Sequence, residues 1–164
     1  MNDSYLNYVE YTIWANNRLM NDLESQQETV FNHTFVGSFP TIRATLLHLW
    51  YAETGWLSRM ERGEWLVGNV TNFSGDIKTL FKEWKATTKA FKVFVETANL
   101  EKELEFEHKG EHFSIPFREI VQTVCNHGSY HRGQIVLMMR QLGITNISQT
   151  DYIEWVREKE RGNI

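Results

Sequence analysis

The chain of 164 residues has a single cysteine, two prolines and no long apolar run, and each shortage excludes something. Cys125 alone permits no disulfide within the chain, and the polar opening MNDSYLNYVEY lacks the basic-then-apolar layout of a secretory signal, so a cytoplasmic protein is expected. The longest good apolar run, Ile135 to Met139, is five residues, far short of the roughly 18 a membrane span requires. No membrane partner is expected. Positive charge is short as well: 17 Lys plus Arg stand against 21 Asp plus Glu, a net charge of −4 with six His neutral. Bulk electrostatics then offers little to neutralise phosphates, and nucleic acid is a poor partner. What the chain does have is apolar and aromatic bulk, 41% hydrophobic with ten Phe, six Tyr and six Trp. That suffices for one folded domain over residues 1–164, and Trp50, Trp65 and Trp155 are compatible with a dimer seam without requiring one.

Pro40 and Pro116 each stand just before a long helical pattern, where a missing N–H does no harm. A first helix is read from about Ser4 to Leu23, its inward face marked by Tyr8, Val9, Thr12, Asn16, Leu19 and Leu23 at intervals of three and four. A polar stretch follows, and then Ile42, Leu46, Leu49, Trp56 and Met60 mark a second helix that stops before Gly63. The third begins at a cap, Ser74 or Asp76, and carries Ile77, Leu80, Phe81, Trp84, Thr88, Phe91, Val95 and Ala98. After Asn99 the period becomes two. Leu104 and Phe106 alternate with glutamates, Lys109-Gly110 intervenes, and Phe113 and Ile115 alternate with His112 and Ser114, predicting a hairpin in which Leu104 faces Ile115 and Phe106 faces Phe113. A fourth long helix starts at Ser114 or Pro116 and reaches Leu142 before Gly143, and a short one spans about 150–161. The expected class is all-α, a four-helix bundle with a small β-hairpin before the last long helix and a short C-terminal helix.

Laid on a wheel with Phe117 at zero, the fourth helix places Ile120, Val121, Val124, Ile135, Met138 and Leu142 in one arc, His127 at about −80° and His131 at about −40°. Both imidazoles therefore point inward or at the rim of the core, one turn apart, a spacing that suits one metal ion. Spacing alone equally fits two core-edge histidines bonded to carbonyls or to each other. His108 and His112 are also four apart, but the hairpin register sends them to opposite faces. An open catalytic site takes three protein ligands, and His48 on the second helix, flanked by the small residues Ala44, Thr45, Ala52 and Gly55, is the candidate third. Those small neighbours permit close approach of another helix and leave room above the ring; the plain alternative is a helix contact holding one satisfied histidine. His33 sits in the polar stretch and reads as solvated.

At these residues the chain resembles the DinB family of helical-bundle metalloenzymes, unrelated to the polymerase of that name. YTIWANNRLM (Tyr11 to Met20) is similar to the family's first helix, TIRATLLHLWYAETGWLSRM (Thr41 to Met60) to its second, and NHGSYHRGQIVLMMRQLG (Asn126 to Gly143) to its most specific segment. The resemblance implies an up-down-down-up bundle, often a homodimer, with His48, His127 and His131 as metal ligands. The sequence departs from the family in the loop GITNISQTD, which lacks the usual proline.

Three neutral imidazoles leave a divalent ion its full charge, able to acidify a bound water or thiol. Imidazole suits zinc, nickel, iron and copper, and affinity order does not choose among them. The resemblance implies a thiol-dependent S-transferase acting on a small-molecule electrophile, with a low-molecular-weight thiol activated at the metal. Tyr130, Arg132 and Gln134 are candidate orienting groups by position, although Arg132 and Gln134 also suit surface or helix contacts. Metal-dependent hydrolysis is the second reading, weakened because Gly128 stands where a zinc-protease glutamate would follow the first histidine, and because Glu53 lies about 140° around the helix from His48. A non-catalytic metal-binding or structural module is the third. It would want a fourth ligand for a closed zinc site, and none is evident, since Cys125 at about +80° reads as packing.

Overall fold

A computed structural model describes residues 3–164. In chain order these form α1 (Asp3–Glu24), α2 (Glu28–Asn32), α3 (Ile42–Arg62), α4 (Gly68–Thr71), α5 (Ile77–Thr97), β1 (Glu103–His108), β2 (Glu111–Pro116), α6 (Phe117–Gln141) and α7 (Tyr152–Glu160). The predicted boundaries hold to within a few residues because their chemistry is local. Thr41 Oγ1 accepts from the Ala44 N–H at 3.0 Å, and Asp76, the second of the two cap candidates, accepts from Thr79 N–H at 2.8 Å. Gly63 ends α3 with φ +76° and donates to Arg59 C=O at 2.8 Å. The short helices α2 and α4 fall between the predicted long helices; four or five residues cannot display a period, and each is pinned mainly by one buried side chain, Phe31 or Val70.

Leu104 pairs with Ile115 and Phe106 with Phe113, as the alternation predicts. The two-residue connection puts Lys109 at φ +52° and Gly110 at φ +82°, so a lysine occupies the left-handed region that favours Asn or Gly. Lys109→Asn is therefore expected to stabilise the protein by on the order of 0.5–1 kcal/mol, seen as a higher urea midpoint at unchanged m-value.

Each of α1 and α3 packs against both α5 and α6. Two apolar clusters fill the interior. One draws on the C-terminal halves of α1 and α6 and the N-terminal halves of α3 and α5, with Leu23, Trp50, Trp84 and Met139 among its members. The other draws on the opposite halves, with Val9, Leu57, Phe91 and Val121. Between them every long helix contributes buried polar groups: Thr12 and Asn16, Glu53, Thr88, His131 and Arg132. A polar belt thus crosses the middle of the helical layer, and most of its groups are tied by hydrogen bonds, since a buried polar group without a partner costs about 1–3 kcal/mol; Glu53 Oε1 is the exception, buried without one. Thr88 donates to Trp84 C=O, Trp84 Nε1 to Glu53 at 2.7 Å, and Arg132 to Asn16 Oδ1 at 2.9 Å.

The GITNISQTD segment runs back along α1, where Asp22 accepts from Ser148 N–H and Oγ at 2.7 and 2.8 Å and Tyr11 Oη donates to Thr150 C=O at 2.9 Å. Trp155 of α7 then packs on Tyr11 and Ala15. Trp50 and Trp155 are buried within the chain, and Trp65 lies half-buried over Gly55.

Candidate metal centre

The contact between α3 and α6 brings His48 across to His127 and His131, whose four-residue spacing stacks them one turn apart. The ligating atoms of the three rings all lie within 4.8 Å of one another, and His48 Nε2 is 2.9 Å from His127 Nε2. That short contact needs a lone pair on one of the two rings, so both cannot be protonated together. Burial, with His131 beside it, holds His48 below the usual imidazole range; burial, with His131 and His48 nearby, takes His127 down to about 4. Both are free bases at neutral pH, ready to bind a cation without first losing a proton.

His131, itself buried, is oriented from behind. Its Nδ1 lies 2.7 Å from Gln134 Oε1, and since an amide oxygen only accepts, Nδ1 carries the hydrogen and Nε2 keeps the lone pair. Gln134→Leu removes that constraint while keeping the side chain's bulk. A loss of metal affinity of about 10–100-fold is expected, measured by competition with a chelator of known affinity.

Tyr130, 63% exposed, sets its ring edge-on to His131 at 5.0 Å. Arg132 is turned away toward α1, donating to Asn16, Tyr11 and Ser129. Of the three candidate orienting groups, Gln134 and Tyr130 therefore touch the triad and Arg132 ties helices together. Gly128 faces α1 as well: a Cβ there would lie 3.1 Å from Arg132 Nη1, so the position where a zinc-protease base would stand is taken up by packing. Cys125 is buried among apolar side chains, with burial pushing its thiol up to about 11. Glu53 points to Trp84 on α5, and His33, His108 and His112 are exposed.

Phe39 was not singled out in the sequence. It comes from the segment before α3 and stacks on His48 at 4.3 Å, also meeting His131 edge-on at 5.4 Å. The room expected above the His48 ring is thus filled from a loop, and the room at Gly55 by Trp65 and not by a helix. An aromatic residue directly before Pro40 at a helix entrance was the available signal.

These elements define a helical bundle with a mid-level three-histidine group that can hold a metal ion. The DinB family model matches residues 1–161, and the chain belongs to that family. A relative named Protein DinB, from Bacillus subtilis (strain 168), is 28% identical over 171 aligned positions that cover 93% of each chain. The crystal structure of a DinB-like protein, YjoA, from Bacillus subtilis superposes with a TM-score of 0.67 at 15% identity, covering 88% of this chain and 96% of that one. The second likeness speaks for the fold.

Proposed function

We propose that this protein is a metal-dependent enzyme of the thiol S-transferase type, with His48, His127 and His131 as the ligands of a divalent ion, zinc, nickel or iron. The observation that carries the reading is the composition of the cluster: three imidazoles and, among the described residues, no fourth histidine, cysteine or carboxylate grouped with them. A structural zinc site closes with four protein ligands, whereas three leave a position for a reactant. When bound, the ion supplies Lewis acidity, lowering the pKa of a coordinated thiol or water.

The chain's own side chains do the rest. Gln134 fixes the tautomer of His131, the depressed basicity of His48 and His127 keeps their lone pairs available, and Phe39 covers one face of His48 against water. Tyr130, with its phenol exposed beside His131, is our candidate for orienting the electrophile. Hydrolysis is the weaker reading because, among the described residues, no carboxylate joins the cluster to act as a general base, Glu53 being directed to Trp84.

The up-down-down-up order implied by the family is supported by the two clusters, which mix C-terminal halves of α1 and α6 with N-terminal halves of α3 and α5 and the reverse. A second copy is the macromolecular partner we propose, and the exposed Tyr130 and Leu137, seven apart on α6, are available to it. We place the protein in the cytoplasm; no helix among the described residues is long and apolar enough to cross a membrane.

The test is enzymatic. Metal-loaded protein, purified without an affinity tag, is incubated with low-molecular-weight thiols and a chromogenic electrophile, beside the His127→Ala variant and the free metal. Thiol consumption by wild type above both controls is expected; equal rates in all three would leave only a metal-binding bundle.

A further inference from the structure

On the outer side of α3, between that helix and the hairpin, lies a cleft of about 530 Å³ walled by Tyr51, Trp56, Trp65, Phe106 and Phe113, with Arg59 among them. A volume of that order is typical of small-molecule sites. We propose that it binds a flat apolar anion, an aromatic or polycyclic body carrying one carboxylate or sulfonate. This goes beyond the metal reading and does not rest on it.

Two observations show a cleft built for a purpose beyond filling space. The first is Gly55: a Cβ there would fall 2.2 Å from the Trp65 ring, so α3 gives up a side chain where the indole lies on its backbone. Trp65 Nε1 then donates to Tyr51 Oη at 3.1 Å, and Trp56 meets Trp65 and Phe106 edge-on at 5.3 and 5.8 Å. The rings are held in fixed planes, as a stacking surface requires. The second is Arg59. Its guanidinium carbon stands 5.0 Å from both the Trp65 and Phe106 ring centres, its side chain makes no hydrogen bond or ion pair among the described residues, and its Nε is buried without a partner. Ring faces stabilise the charge but do not accept the in-plane N–H groups. A carboxylate or sulfonate on a ligand seated between the rings would accept them in pairs, which a neutral ligand of the same shape cannot do as strongly.

Along α3 the cleft begins at Tyr51, less than one turn from His48, and ends at Arg59, roughly 16 Å from it at 1.5 Å per residue. The anionic end of the ligand therefore sits far from the three histidines and the apolar end points toward them.

The test titrates the full chain with 2-naphthoate and with its neutral isostere 2-naphthamide, by calorimetry. One naphthoate per chain is expected, with affinity at least about tenfold above naphthamide. Arg59→Gln should remove that preference while leaving naphthamide binding in place, and Trp65→Ala should weaken both. His131→Ala, which addresses the metal reading, should leave the naphthoate titration unchanged. In case the Arg59 variant fails to fold, amide and indole NMR of the wild type provides an independent measure: naphthoate should shift the Trp56 and Trp65 indole N–H signals and spare Trp155. Equal affinity for acid and amide, absence of saturable binding, or shifts confined to the His131 end of the molecule would each overturn the proposal.

Discussion

Replacing His131 by alanine is expected to lower the affinity for zinc or nickel by more than about 100-fold, beyond the roughly 10–100-fold that loss of an outer-shell partner costs. The reason lies in how the three rings are supplied. His48 comes from α3 and His127 and His131 from α6, so removing His131 leaves one nitrogen from each helix and no pair one turn apart. It also leaves Gln134 with nothing to orient. His131 is buried, so the variant loses packing as well as a ligand, and His127→Ala, at a half-buried ring, separates the two effects. Linkage gives a readout independent of any reaction. Metal at about 100 times its Kd should stabilise wild type by about 2.7 kcal/mol, and neither variant should gain more than about 0.4 kcal/mol at that concentration. An equal rise in unfolding midpoint for wild type and both variants would contradict the assignment.

The second large effect concerns Glu53 and the pH dependence of stability. Burial raises its carboxyl from the ordinary 4.5 to about 7, with the Trp84 indole and Thr88 hydroxyl pulling the other way. Below about pH 4.5 the folded and unfolded chains both hold this proton. Between about 4.5 and 7 the unfolded chain has lost it while the folded one keeps it, so stability falls as pH rises, and above 7 the deficit is constant. A gap of about 2.5 in pKa corresponds to roughly 3 kcal/mol at 1.36 kcal/mol each. Glu53→Gln retains an acceptor for Trp84 Nε1 and has no proton to lose. Urea unfolding at pH 5 and pH 8 should therefore show the wild type losing about 2.5 kcal/mol relative to the variant over that span, part of the deficit being present already at pH 5. His127, held at about 4 when folded, acts in the opposite sense, adding stability as pH rises from about 4 to 6.5. It is present in both proteins, so it cancels in the comparison. Parallel pH profiles would mean that Glu53 is charged in the folded protein and that the belt solvates it.

Much of this was legible in the chain because it depends on local chemistry. The period of the apolar residues gave the four long helices, the Thr41 and Asp76 side chains their starts, and the alternation through Leu104 and Ile115 the hairpin register. The pair His127 and His131 follows from one helix's wheel. That His48 meets them does not follow from any local rule; it needs the contact between α3 and α6, and small flanking residues on α3 were only an indirect sign. Those residues proved to serve other ends, Gly55 receiving Trp65 and the space over His48 receiving Phe39. Loop aromatics that fold back over a helix leave no periodic trace, so Phe39 had only its place before Pro40 as a sign and the Arg59 cleft had none. The polar belt is the intermediate case: Thr12, Asn16, Glu53 and Thr88 interrupt apolar stripes visibly, yet only the packing puts them at one level.

X-ray absorption on the zinc- or nickel-loaded protein, purified without a histidine tag, addresses the metal centre at its source. The account predicts one ion per chain with three imidazole nitrogens at about 2.0–2.1 Å and exchangeable water oxygens completing the shell, the imidazole set lost on His131→Ala. A spectrum without imidazole scattering, or one unchanged in the variant, would contradict it.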